Sequence, residues 1–184
     1  ILGAHIGKVD IDNEGVPYVS PSNKSVFVDS LVLEDDSEVI LTFTQANSIN
    51  GDGVVTCLNM NGFRAWGNNT GAYPDSIDPK DRFIPVRRMF DWWGNTFITT
   101  YFNRVDDPLN TKLIESIVDD ENIRANGYKA RFQIAEAKIE FRSSDNPVED
   151  LTQGKIVFRQ SLTPYPPAEN ITNILEFNPS ALAI

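Results

Sequence analysis

Apolar and polar positions along the chain do not keep one period, and the changes divide it. Gly3, Gly7, Gly15, Pro17 and Pro21 interrupt the first 24 residues, and the stretch from Asp10 to Pro17 reads as an exposed turn, so an irregular opening is expected. Two apolar runs follow, Val26 to Val28 and Val39 to Phe43, on either side of the acidic Glu34 to Glu38. Their β-branched and aromatic content predicts strands. Residues 1–50 therefore read as the closing piece of a preceding β-rich domain.

A second unit is expected over residues 51–184. Asn61-Gly62, flanked by apolar runs, predicts a tight β-hairpin, and the Asn-, Gly-, Pro- and Asp-rich stretch 68–80 a surface loop. Phe90, Trp93, Phe97 and Tyr101 then recur at helical spacing and predict a helix over 87–103. Asp107 followed by Pro108 reads as the cap and first residue of a second helix, with Leu109, Leu113, Ile117 and Val118 as its stripe and an end near Asn126-Gly127 or a few residues later. Beyond it the period becomes two-fold. Strands are expected over 132–142, carrying Ile134, Ala137, Ile139 and Phe141, and over 155–162, carrying Ile156, Phe158 and Leu162. After Pro164, Pro166 and Pro167, one more short strand is expected from Ile171 to Phe177. The fold class that follows is α+β: a mixed or antiparallel sheet with two main helices packed on one face.

Composition narrows the chemistry. With 41% hydrophobic and 23% charged residues the chain can build an ordinary core, and no apolar run approaches the roughly 20 residues of a membrane-spanning helix. A formal charge of −10 with scattered basic residues argues against nucleic-acid binding, which needs clustered Lys and Arg. Cys57 is alone, which excludes an intrachain disulfide and a cysteine-rich zinc site. The opening at Ile1 has no signal-peptide pattern and reads as a cut edge of a longer polypeptide.

Candidate sites are few. Asp10, Asp12, Glu14 and Gly15 copy the front of a calcium-binding EF-hand loop, but its twelfth position, which needs a bidentate Glu, holds Pro21. Asp35-Asp36, Asp106-Asp107 and Asp119-Asp120 supply paired acids; adjacent carboxylates seldom face each other across a sugar as a glycosidase requires. His5 is the only histidine, and pairing with Cys57 stays open beside the reading of a packed ring and a buried thiol. Trp66, Trp92, Trp93 and Tyr73 could form a sugar-stacking platform, although Trp93 falls on the core stripe and leaves Trp92 as the ring for an interface. The sequons at Asn23, Asn68 and Asn170 carry no weight by themselves.

Five stretches carry a resemblance: LGAHI at 2–6, SPSN at 20–23, GFRAWGNNT at 62–70, DRFIPVRRMFDW at 81–92 and GKIVFRQSLTPYPPAENI at 154–171. In that order they resemble the C-terminal region of tail sheath proteins of contractile phages and phage-like particles. The resemblance implies a structural subunit that is not an enzyme and uses no cofactor or metal. Its expected partners are copies of itself in stacked hexameric rings, a tail tube protein and a baseplate, with no nucleic acid and no membrane insertion. It implies a place in a virion tail or phage-like particle made in a bacterial cytoplasm, and contraction that drives the tube through an envelope. Residues 1–50 would then end a middle or outer sheath domain, and 51–184 would be the inner domain with a trailing arm from about 168 to 184. Ile171, Ile174, Leu175 and Phe177 would be the arm's interface residues, adding a strand to a neighbour's sheet. Arg87, Arg88, Trp92 and the acids from Asp119 to Glu121 would be contacts to tube or neighbour. The alternative is a carbohydrate-binding or hydrolytic domain using the Trp and acidic side chains.

Overall fold

The computed structural model describes residues 1–182. It begins with a helix where an irregular opening was expected: α1 spans Leu2–Ile11. Gly3 and Gly7 weaken its intrinsic propensity, and contacts remote in sequence compensate. His5 Nε2 lies 2.9 Å from the Pro21 carbonyl oxygen, Asp10 meets Arg88, and His5 and Val9 are buried. The expected strands over 25–44 are reduced to isolated bridges, Ser25 to Arg64 and Val32 to Glu38. The second run ends in a helix, α2, Phe43–Gly51. Thr42 and Gln45 form a reciprocal capping box at its start: Gln45 N donates to Thr42 Oγ1 and Thr42 N donates to Gln45 Oε1.

The hairpin forms where Asn61-Gly62 places it. Strands β1, Thr56–Asn59, and β2, Phe63–Trp66, pair antiparallel with Asn59 opposite Phe63, and Asn61 and Gly62 both take positive φ as a tight turn demands. Residues 23–26 run along the other side of β2, through Asn23 N to Ala65 O, Ala65 N to Lys24 O and Val26 N to Phe63 O. A short α3, Pro79–Arg82, leads into α4, Ile84–Tyr101, which has Pro85 in its first turn.

The core face of α4 is Val86, Met89 and Trp93, so the packing line runs beside Phe90 rather than through it. Helix α5 is Thr111–Ala130 and not a helix from Asp107. Asp106 has a φ of 70°, which breaks helical continuation. Asn110 supplies the cap instead, its Oδ1 accepting from Leu113 N at 2.9 Å. Gly127 has open space around it and the helix passes through.

Strands β3, Glu136–Phe141, and β4, Phe158–Thr163, form an antiparallel hairpin with Ile139 opposite Gln160, and a short α6, Val148–Thr152, lies in their connection. Buried Asn146 pins the hairpin's end: its Nδ2 donates to the carbonyls of Arg142 and Val157, and its Oδ1 accepts from Val157 N at 2.7 Å. Val16, Met89, Trp93, Ala125 and Ile134 form the core, flanked by Trp92, Tyr128, Ala137 and Leu162. Both main helices thus pack against the second hairpin, and the chain is an α+β fold with two small antiparallel sheets among the described residues.

Candidate subunit interface

The segment that leads into the arm begins where β4 ends. Pro164 is buried, and the chain then runs out without regular structure as far as Asn178. The expected strand from Ile171 to Phe177 is absent because no edge pairs with it: among the described residues, no backbone hydrogen bond joins 168–178 to the rest of the chain. Ile171, Ile174, Leu175 and Phe177 are 79 to 88% exposed, so four large apolar side chains in one short stretch meet no core. A short 3₁₀ turn, Pro179–Leu182, follows. Ala183 and Ile184, also within the expected arm, lie outside the described residues.

The arm's root is held. A carboxylate oxygen of Glu169 accepts from Arg82 Nη2 at 2.8 Å, and the other accepts from Asn68 Nδ2 at 3.4 Å. Arg82 is itself fixed: its Nε donates to Asn69 Oδ1 at 3.0 Å, and its guanidinium carbon lies 4.6 Å from the ring centre of Tyr73 and 4.7 Å from that of Phe83.

The two edges of the β3–β4 hairpin differ. Asn122 on α5 bonds the N–H and the C=O of Ile139, so these groups point away from β4 and are already satisfied. By ladder alternation Gln160, opposite Ile139, and its neighbours Phe158 and Leu162 turn their backbone groups outward on the other edge. Among the described residues those groups have no hydrogen-bond partner. The edge of β4 is open, and beside it Phe97, Ile98, Phe102, Val105, Leu113 and Phe158 line an apolar groove.

The other singled-out residues are scattered. Arg87 is exposed at the start of α4, where hydrogen bonding to Asp91, with the nearby charge of Asp81, raises its already high pKa. Arg88 grips Asp10 with two nitrogens and ties α4 to α1. Trp92 is half-buried, its ring 5.5 Å from Tyr128 and 6.1 Å from Trp93. Asp119 and Asp120 are not buried, but Glu121 is not part of that acidic face. It is 1% exposed, bonded to Arg124 at 2.6 Å and to Gln160 at 3.1 Å, because it sits on the core-facing line of α5 with Ile117 and Ala125. Arg124 lies over the Trp93 ring at 4.1 Å.

The chemistry-bearing candidates are engaged in structural contacts. Asp10 pairs with Arg88 and Asp12 with Lys8, and Asp10 lies inside α1 rather than at the head of a loop. Burial pushes the Cys57 thiol up, the direction opposite to that of an activated nucleophile. Trp66 donates to Asn47 Oδ1 and stacks edge-on with Phe43, while Trp92 and Trp93 pack with Tyr128 in the core, so the rings do not share one platform. Among the described residues no helix is long and apolar enough to cross a membrane.

No protein-family model matches the chain. Individual proteins do. It is 33% identical over 162 residues to the tail sheath protein of Escherichia phage P2, covering 88% of this chain and 38% of that protein. It is 31% identical over 176 residues to the major tail sheath protein of Serratia phage KSP20, covering 92% of this chain and 42% of that protein. The chain is a tail sheath homologue. It spans about two fifths of the length of these relatives, at 38% and 42%. The fold of the sheath homologue recurs in solved structures at lower identity. A chain of the contracted sheath complex of an extracellular contractile injection system, PVC, superposes with a TM-score of 0.78 at 19% identity, over 96% of this chain and 49% of that one. A chain in the baseplate structure of the anti-feeding prophage gives 0.74 at 21% identity, over 96% and 48%.

Proposed function

We propose that the chain is the C-terminal part of a contractile tail sheath subunit, in which copies are joined by strand exchange. The observation that carries this reading is a matched deficit among the described residues: an arm with exposed apolar side chains and unpaired backbone, and a β4 edge whose outward N–H and C=O groups have no partner. A strand added to that edge satisfies both sets of backbone groups, and alternate side chains of the arm settle into the groove beside it. Backbone ladders tolerate rotation of the bodies they connect, which is what a lattice that shortens and widens requires. Homology to phage tail sheath proteins supports the same reading.

On this reading the subunits stack as hexameric rings around a tail tube and meet a baseplate, in a virion tail or phage-like particle. Their work comes from re-docking of many copies and not from a reaction at any one. Residues 51–184 form the inner domain, with the arm starting near 168; of residues 1–50, proposed to end a preceding domain, the part through 26 packs into that same body, Val16 lying in its core and residues 23–26 pairing with β2. Arg87, exposed on the outer surface of α4, is available to a tube or neighbour. Electron microscopy of the full-length protein tests this. Tubes or striated polysheaths are expected, and their loss when the arm is removed after Asn170; persistent monomers at high concentration would overturn the reading.

A further inference from the structure

We propose that Arg82 and Glu169 form a latch that seats the root of the arm on its own body and sets the pivot for arm reorientation at Asn170–Ile171, beyond the prolines. The proposal rests on the reading of the arm as a connector and adds the point at which that connector turns.

Three observations carry it. First, Glu169 accepts hydrogen bonds from two residues of the body, Arg82 at 2.8 Å and Asn68 at 3.4 Å, and past it the chain has no hydrogen bond to the body among the described residues. The change from held to free is therefore located within one or two residues. Second, the receiving side is built in advance. Arg82 has its Nε on buried Asn69 and its guanidinium beside the rings of Tyr73 and Phe83, so little side-chain freedom is lost when the carboxylate arrives. Third, the two side chains remain 26% and 30% exposed. An ion pair open to water is screened and modest in strength, which lets it release. A fully buried pair would lock the root, and an unsupported surface pair would not hold it.

The prolines fit this division. Pro164 is buried and Pro167 lies with Ala168 and Glu169 in the polar groove lined by Asn68 and Tyr73, so the proline segment is seated against the body and does not itself form the swinging part.

Spin-label distance measurement on the dilute, unassembled protein tests the latch. Nitroxides are placed on the arm's root at Ala168→Cys and on α5 at Lys112→Cys, in a Cys57→Ser background, with Asn173→Cys, beyond the pivot, as the broad reference. A narrow distance band is expected with Arg82 and Glu169 intact. It should be lost in Glu169→Gln, in Arg82→Gln and in the parent at high salt, with tryptophan near-ultraviolet dichroism unchanged by the Glu169→Gln substitution. A band of equal width in all three proteins, or one indifferent to salt, overturns the proposal. Loss of the band in a protein whose association does not depend on the arm leaves the latch standing and removes the connector reading. An unchanged band with arm-dependent association does the reverse.

Discussion

Asn122 on α5 occupies both outward backbone groups of Ile139 on β3, its Oδ1 accepting at 3.1 Å and its Nδ2 donating at 3.2 Å. One side chain thereby closes the edge of the hairpin nearer the helix and leaves β4 as the edge on which another chain can pair. Asn122→Ala should orphan an N–H and a C=O at a residue that is 2% exposed, at a cost of about 1–3 kcal/mol for each. Urea unfolding should read that loss, and Asn122→Asp, which keeps only the acceptor, should fall between the parent and Asn122→Ala.

Removing the arm's apolar contacts should separate association from folding. Ile171→Ser, Leu175→Ser and Phe177→Ser together delete no buried contact within the chain, so thermal unfolding should move little, by about 0.5 kcal/mol or less. Sedimentation of the full-length protein should nevertheless show loss of large assemblies.

The buried pair of Glu121 and Arg124 should behave in the opposite way. Glu121→Ala leaves Arg124, which packs on Trp93, without its carboxylate and strips Gln160 of an acceptor. Breaking such a pair from one side costs roughly 3–5 kcal/mol, and calorimetry should record it. Trp93→Ala, at the centre of the core, should cost a similar amount, about 3–5 kcal/mol.

Stability should also decline in acid through an exposed fork at the hairpin. Hydrogen bonding to Arg159 holds the Asp145 carboxyl below its ordinary value of 3.8, and Lys138 and then Arg142 hold Glu140 below 4.5. A carboxyl whose folded pKa is depressed contributes stability above its unfolded pKa and loses it as the pH falls through the folded one. Unfolding midpoints followed from neutral pH downward should therefore drop below about pH 4, and Asp145→Asn should flatten that limb.

At the alkaline end the sign reverses. Burial, followed by the charges of Glu121 and Asp120, raises the Tyr101 hydroxyl well above its ordinary 10. The unfolded chain then releases that proton first, so stability should fall as the pH rises past 10, and Tyr101→Phe should remove this loss.

Local chemistry made part of this fold legible in the sequence. Asn61-Gly62 dictates its own turn, and the two-fold alternation at Ala137, Ile139 and Phe141 requires a strand with one face covered. The helix of 84–101 followed from aromatic spacing, though its buried line runs through Val86, Met89 and Trp93 and beside Phe90, because contacts with Val16, Ala125 and Ile134 select that face. α1 was not legible, since the contacts that hold it, Pro21 and Arg88, lie far along the chain. α2 was missed: the β-branched signal of Val39 and Ile40 predicted a strand there, although the capping box of Thr42 and Gln45 was a local sign of the helix. At the proposed interface, Ile171, Leu175 and Phe177 on one side of an extended chain were the sequence sign of an arm. Its anchor could not be seen, because Glu169 and Arg82 are 87 residues apart and neither belongs to a local pattern.

Because the chain passes without a break from Thr163 to the arm, a load that outlasts the Arg82–Glu169 contact reaches β4 at its end, while the hydrogen bonds to β3 run across the strand. Such a load shears the rungs together rather than peeling them one at a time. Pro164, Pro166 and Pro167 offer no amide hydrogens to extend the ladder, so on the proposed connector reading a neighbour's pull would meet a tether anchored in a hairpin that resists as a block.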